Sequence, residues 1–273
     1  MRLIIDGTQL FVRIRHASDL SSLSDRKGRP TGTAWGFLRS LLAYRKHWQD
    51  HVVHVCWDGT SQRRKAMRPE YKANRVPRDY EDGFEYLWLR DFLPTLGVTQ
   101  HINAHEEADD VMASLAAQFP TENVIVATTD RDMLQLVSHS VQQWCPPVGH
   151  NQPKLYDLHA VLAEYGVLPE RVIDVRALCG DHSDNIAGVP GIGIKTAIKA
   201  VCALPLTKRQ EALLQEHSAI PPRNRELLKL YTVPYDTIEP AYDREHAVAM
   251  LEDLDIQAEL LLNDAPERQL ALF

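Results

Sequence analysis

Three short apolar runs, each handing the chain to an aspartate, limit what this polypeptide can become. Arg2–Ile5 ends on Asp6-Gly7, Val52–Trp57 ends on Asp58-Gly59, and Asn123–Ala127 passes through Thr128-Thr129 to Asp130. Short runs rich in Val and Ile read as strands buried on both faces, the habit of parallel sheets. Helical spacing lies between them. Thr33–Trp48 carries Trp35, Leu38, Leu41, Leu42 and Tyr44, a second helix is expected from about Tyr80 to Leu96, and a third over Val111–Gln118. Val98–Ile102 adds a short strand, and a Ser-rich loop with Gly28 and Pro30 is expected after Asp6-Gly7. The alternation predicts an α/β fold with a mostly parallel central sheet flanked by helices. In such sheets ligands bind beyond the carboxyl ends of the strands. One aspartate after a strand is ordinary turn chemistry; three of them are expected to converge as a site.

The third helix opens on Glu106-Glu107-Ala108-Asp109-Asp110. Capping and the helix dipole favour one or two acids in a first turn. Four in five positions repel one another unless a cation sits among them, so this cluster reads as metal-binding. Glu107 and Asp110, three apart, are expected to face the same way.

From Asp157 onward the pattern is mostly helical: Leu158–Tyr165, Pro169–Cys179, Lys195–Leu204, Lys208–Glu216 and Arg223–Leu230. The stretch Gly180–Ala197, GDHSDNIAGVPGIGIKTA, joins two kinds of chemistry. Asp181 and Asp184 suit a hard cation such as Mg²⁺. Gly188-Val189-Pro190-Gly191-Ile192-Gly193 then lets a backbone turn approach a phosphate, and the helix start at Lys195 and Thr196 presents N–H groups to it. The bland alternative is a loop with a solvated acidic lip. The domain reading is 1–156 for the α/β core with a basic segment at about 61–90, 157–262 for the helical region with its hairpin at 180–197, and 263–273 for a flexible tail.

A formal net charge of −7 looks wrong for a nucleic-acid binder. Binding charge is local, however, and metal ligands count as acid until the metal arrives. Arg63, Arg64, Lys65, Arg68, Lys72, Arg75 and Arg78 form a basic island against Glu70. Cys56, Cys145, Cys179 and Cys202 are scattered with no Cys-x-x-Cys pair, which predicts reduced thiols and a cytoplasmic setting. No signal peptide and no membrane-spanning run is expected, and the histidines lack metal-ligand spacing.

Six pieces in order resemble the 5′-nuclease (flap endonuclease) superfamily, closest to stand-alone bacterial and phage 5′-3′ exonucleases and the N-terminal nuclease domain of bacterial DNA polymerase I. They are Ile5-Asp6-Gly7, Trp57-Asp58-Gly59, Tyr71-Lys72-Ala73-Asn74-Arg75, Glu107-Ala108-Asp109-Asp110, Thr129-Asp130-Arg131-Asp132 with Met133–Leu136, and Gly180–Ala197. The resemblance implies a PIN-like sheet and a helix-hairpin-helix (helix-three-turn-helix) DNA-binding motif. It implies a carboxylate nest for two divalent ions, Mg²⁺ with Mn²⁺ as substitute. Asp6, Asp58, Glu107, Asp109 and Asp110 would serve the first, and Asp130, Asp132, Asp181 and Asp184 the second. Lys72 and Arg75, counted with the catalytic set, match with Tyr71 and Arg68 a basic arch or clamp on a single-stranded 5′ end, giving phosphate attraction and base stacking. Gly188, Val189, Gly191, Ile192, Gly193, Lys195 and Thr196 would grip duplex DNA without reading its sequence. The hairpin permits a K⁺ ion.

The implied activity is a 5′-3′ exonuclease or flap endonuclease acting as a monomer on flap, nicked or gapped DNA in replication or repair. A ribonuclease of related fold and a non-catalytic DNA-junction binder are the alternatives. At the C-terminus, Gln269, Leu270, Leu272 and Phe273 belong to a QLALF segment that resembles the peptide by which bacterial proteins dock on the sliding clamp. Packing of a helix end on its own domain is the rival reading there.

Overall fold

The computed structural model describes residues 1–17, 20, 22–75, 78–149 and 151–257. Along the chain, β1 (Arg2–Asp6) is followed by α1 (Gly7–Arg15), α2 (Gly32–His47), β2 (Val52–Trp57) and α3 (Gln62–Met67). Next come α4 (Phe84–Phe92), β3 (Thr99–Ile102), α5 (Ala108–Ala116), β4 (Val124–Ala127), β5 (Val141–Cys145) and β6 (Lys154–Tyr156). The remainder holds α6 (Leu158–Tyr165), α7 (Pro169–Cys179), β7 (Gly180–Asp181), β8 (Ile186–Ala187) and α8 (Ile194–Val201). It closes with α9 (Lys208–Glu216), α10 (Ile220–Leu228), β9 (Asp236–Ile238) and α11 (Arg244–Asp253). The chain divides into two compact units, one of Met1–Gly59, Pro77–Met112 and Pro234–Phe273, the other of Thr60–Val76 and Ala113–Val233.

In the first unit β1 pairs parallel with β2 and β2 parallel with β3, while β9 closes the edge antiparallel to β3. Leu3, Ile4, Ile5, Val55, Cys56 and Trp57 are almost wholly buried, as the apolar runs demand. Trp57 stacks on Phe37 of α2 with ring centroids 5.8 Å apart, and its indole N–H donates to Gln100 Oε1 at 2.8 Å. Helix α1 begins where a loop was expected. Asp6 caps it by accepting the Gln9 N–H at 2.8 Å, and Leu10, Phe11 and Ile14 supply its buried face. Gly7 is a contact glycine here, since a Cβ would stand 2.5 Å from Val55 Cγ1. The expected Tyr80–Leu96 helix is α4 followed by a 3₁₀ turn at Leu93–Leu96, with Gly83 marking its later start.

A hydrogen-bonded row crosses this unit. Arg2 Nη1 lies 3.4 Å from His54 Nε2, His54 Nδ1 is 2.9 Å from His101 Nε2, and His101 Nδ1 is 3.1 Å from Thr237 Oγ1 on the edge strand. Both imidazoles are buried, and loss of solvent pushes His101 down to about 4.

In the second unit β4 pairs parallel with β5, and β6 turns back antiparallel on β5. Helices α6 to α10 carry the remaining core. One cluster gathers Leu134, Tyr156, Val161, Tyr165, Val172, Val175, Val189 and Ile192. A smaller one gathers Tyr71, Ile173, Ala177, Ile186, Leu227 and Leu228. The α/β class and the mostly parallel pairing agree with the sequence reading; the short strands β5, β6 and β9 were not anticipated. Among the described residues no helix is long and apolar enough to cross a membrane.

Candidate active site

In the first unit the strand-end acids sit against the start of α5. Asp58 follows β2, and its N–H donates to Thr8 Oγ1 at 2.8 Å. Its Oδ1 accepts the Ala108 N–H at 2.7 Å, and its Oδ2 accepts Arg78 Nη2 at 2.8 Å. One carboxylate thus takes a free donor of a helix first turn and a guanidinium together. Glu107 and Asp110 are buried, at 2% and 0% exposure, and Asp109 is half-buried. Glu107 stands just before the helix, its carbonyl accepting the Asp110 and Val111 N–H groups at 3.1 and 3.3 Å. Burial, then Asp6 and Asp109, push the Cys56 thiol well up, so both acids act on one buried atom. Asp58 is thus tied to the start of α5, and Asp6 and Asp109 both bear on Cys56 within this unit.

The second unit brings its four aspartates together by different means. Asp130 caps a 3₁₀ turn at Arg131–Leu136, its Oδ1 accepting the Asp132 N–H at 2.8 Å. The β7–β8 hairpin turns Asp181 and Asp184 back beside them. Arg176, in the last turn of α7, donates from Nε to Asp132 Oδ1 at 2.8 Å and from Nη2 to Asp181 Oδ2 at 2.5 Å. Asp181 Oδ1 accepts the Ser183 N–H and hydroxyl at 2.7 and 2.6 Å. Asp184 accepts the Tyr71 hydroxyl at 3.0 Å, ion-pairs with Arg75, and has Lys72 Nζ at 3.6 Å.

The turn bearing those cations is bolted to the hairpin. Lys72 N–H donates to the Asp184 carbonyl at 3.0 Å, Asn74 Nδ2 to the His182 carbonyl at 2.9 Å, and Asn185 Nδ2 to the Glu70 carbonyl at 2.8 Å. Tyr71 is only 3% exposed, its ring packed on Ile173, Ala177 and Leu227. This corrects the expectation that Tyr71 stacks on bases: its ring belongs to the core and its hydroxyl to Asp184. Arg68 lies half-buried beside Glu70 at 4.0 Å.

Loss of solvent pushes Asp130 up, with the Asp184 charge adding to it and Arg176 and Lys72 opposing. Asp132 is raised by the same loss of solvent and by Asp130, against the pull of Arg176. Asp181 is held low despite burial, by Ser183 and Arg176. Crowded carboxylates held above their usual range suit a hard divalent cation, which would relieve the repulsion. Among the described residues no three His, Cys, Asp or Glu groups stand as a ready-made metal cage. Arg176, Arg75 and Lys72 supply the counter-charge instead.

Comparison with known proteins settles the family. A model of the 5′-3′ exonuclease N-terminal resolvase-like domain matches residues 1–166, and one of the 5′-3′ exonuclease C-terminal SAM fold matches residues 167–232. The chain belongs to the 5′-3′ exonuclease family. The 5′-3′ exonuclease of Bacillus subtilis is 35% identical over 203 residues, covering 73% of this chain and 69% of that protein. DNA polymerase I of Mycobacterium tuberculosis is 32% identical over 275 residues, 93% of this chain. The chain spans only 30% of that polymerase's length. The bacteriophage T5 flap endonuclease, solved as a pseudo-enzyme-product complex with DNA and metal ions, matches with TM-score 0.66 at 23% identity, covering 96% of this chain and 98% of that one. That likeness carries the fold.

The loop at Gly188–Gly193 exposes part of its backbone. Val189 and Ile192 drop into the core while Gly191, Gly193 and Lys195 stay exposed and Thr196 half-exposed. Gly188 is packed so that a Cβ would meet the Cys179 carbonyl oxygen at 2.1 Å, whereas Gly193 faces open space and precedes the first turn of α8. Sequence reasoning passed over Arg176, whose only sequence signal is an arginine in a last helical turn five residues before Asp181. Gln269, Leu270, Leu272 and Phe273 lie outside the described residues.

Proposed function

We propose that this chain is a structure-specific 5′ nuclease that hydrolyses DNA phosphodiesters near single-strand/duplex junctions, in replication or repair, with Mg²⁺ as cofactor and Mn²⁺ as substitute. The observation that carries the reading is the set Asp130, Asp132, Asp181 and Asp184 held beside Lys72, Arg75 and Arg176. Acids that hold divalent ions and cations that meet a phosphodiester are both needed for this chemistry, and they stand together here.

In this reading Asp6, Asp58, Glu107, Asp109 and Asp110 hold one ion, and Asp130, Asp132, Asp181 and Asp184 the other. When bound, such ions supply a water activated for attack and charge stabilisation on the leaving oxygen. Lys72 and Arg75 neutralise the phosphodiester as charge builds on it. Arg176 holds Asp132 and Asp181 in one orientation. Gly191, Gly193, Lys195 and Thr196 seat the duplex backbone, with K⁺ as a further ion of that loop, while Gly188, Val189 and Ile192, packed inward, anchor the hairpin instead. Arg68 adds phosphate attraction. The QLALF tail docks on a sliding clamp in the same reading, and removing the last five residues without loss of clamp affinity would refute that part.

The test is product sizing on matched 5′-flap, nicked and blunt DNA, with Mg²⁺ and with chelator. Short 5′-phosphorylated products from the flap and nicked substrates, lost on chelation, are expected. Binding without cleavage would leave only a junction-binding protein.

A further inference from the structure

Gln143 is a polar residue in the interior of a strand, 1% exposed, and its amide nitrogen is given over to the turn that carries two of the aspartates. It stands on β5 opposite Val126 of β4. Strand β4 ends at Ala127, and beyond that end Gln143 Nε2 donates to the Thr128 carbonyl at 3.1 Å and to the Asp130 carbonyl at 2.7 Å. Cys145 Sγ is a weak third contact at 3.7 Å.

Holding the Asp130 carbonyl fixes the peptide plane that follows Asp130. With that plane fixed, Asp130 keeps φ −71° and ψ 125°, and the Asp132 N–H meets Asp130 Oδ1 at 2.8 Å. Gln135 does the same for the next acid, its Nε2 donating to the Asp132 carbonyl at 2.7 Å. Each aspartate of the turn thus has its own backbone carbonyl held by a glutamine amide. The other end of Gln143 is different: Oε1 is buried and has no hydrogen-bond partner among the described residues. An orphaned amide oxygen costs about what a hydrogen bond contributes. An apolar side chain of the same length would lose the two bonds and remove the orphan, so stability alone gives little reason for an amide here. What only the amide supplies is a donor aimed at the Asp130 turn.

We propose that Gln143 is a positioning residue for the second ion: it holds the Asp130 carbonyl and through it sets the direction of the Asp130 carboxylate. The proposal rests on the nuclease reading above. Groups that orient a metal ligand typically change metal affinity or activity 10- to 100-fold when they are removed.

The test is Mn²⁺ binding to the full chain without DNA, read from the free-ion electron paramagnetic resonance signal, together with 5′-flap cleavage across an Mg²⁺ series. Gln143→Met keeps the length and loses the donor. It should bind Mn²⁺ about 10-fold more weakly and need about 10-fold more Mg²⁺ for half-maximal cleavage, with KM for the flap at saturating Mg²⁺ like wild type. Gln142→Met, half-buried on the same strand, should match wild type in both. In an Asp130→Ala background, Gln143→Met should weaken Mn²⁺ binding no further, because the two residues act in series. Wild type answers the question even if Gln143→Met folds poorly: the Gln143 side-chain N–H signals in a heteronuclear NMR spectrum should shift with the same Mg²⁺ midpoint as the Asp130 backbone amide. Unchanged Mn²⁺ affinity in Gln143→Met, additive losses in the double variant, or Gln143 signals that ignore Mg²⁺ overturn the positioning role alone. A wild type that neither binds Mn²⁺ nor cuts the flap overturns the nuclease reading and the positioning role with it.

Discussion

Arg176 Nε donates to Asp132 Oδ1 at 2.8 Å, and the same guanidinium reaches Asp181 through Nη2, so two acids 49 positions apart share one cation. The side chains of Arg176, Asp132 and Asp181 keep only 17%, 13% and 15% exposure, so little solvent screens the three charges. The chain thus sets positive charge of its own among the carboxylates.

Arg176→Met should therefore cost the metal-free protein about 1–3 kcal/mol, below the range for a fully buried pair because some exposure remains. Added Mg²⁺ should recover more stability in this variant than in wild type. Thermal unfolding with chelator and with Mg²⁺ measures both; equal melting temperatures in the two proteins under chelator would remove the role given to Arg176. Arg176→Lys keeps the charge without the fork and should fall between them.

Tyr71 provides a second check. Tyr71→Phe keeps the buried ring and loses the hydroxyl on Asp184, a change of about 1 kcal/mol. Tyr71→Ala empties a core position and should cost about 3–5 kcal/mol. Denaturant unfolding separates the two. A negligible cost for the alanine variant would mean that the ring is not part of the core.

Acid should weaken the first unit through His101. Its folded value of about 4 lies below the ordinary 6.5, so the unfolded chain binds the proton first. The stability is fully present above pH 6.5 and is lost as pH falls toward 4. The loss should be of order 1–3 kcal/mol. Denaturant unfolding at pH 7.5 and 5 in wild type and in His101→Gln measures it. The acid limb should be shallower in the variant, and an identical slope would assign the effect to other groups.

Two glycines of one loop should respond differently to a methyl group. Gly188→Ala places a carbon against the Cys179 backbone and should destabilise by about 2 kcal/mol or more, whereas Gly193→Ala meets open space at φ −88° and should change stability by less than about 0.5 kcal/mol. Calorimetry on the two variants decides it. Equal melting temperatures would contradict the packing described for Gly188.

The interior strands were legible in the sequence because burial on both faces leaves no room for polar residues: Leu3-Ile4-Ile5 and Val124–Ala127 are almost wholly buried. The helices after Asp157 were legible for the complementary reason, an apolar stripe at helical spacing. Edge strands such as β9 carry no such mark, since Asp236 and Thr237 are exposed and held by pairing with β3 alone. Helix α1 was hidden because Asp6-Gly7 looks like a turn, and only its packing on Val55 explains the glycine. The acids themselves were readable from type and position. Of their cations, Lys72 and Arg75 were readable in the basic island, but Arg176 was not, because it acquires its partners through tertiary placement. Tyr71 was misread for the same reason, as sequence does not say which way a ring in a turn will face.

The central claim is that these carboxylates do the cutting, and one measurement bears on it most directly. Cleavage of a labelled 5′-flap with Mg²⁺ should fall about a hundredfold or more in Asp130→Asn and in Asp181→Asn, while flap binding in Ca²⁺ stays near the wild-type level. Wild-type cleavage rates in both variants would contradict it.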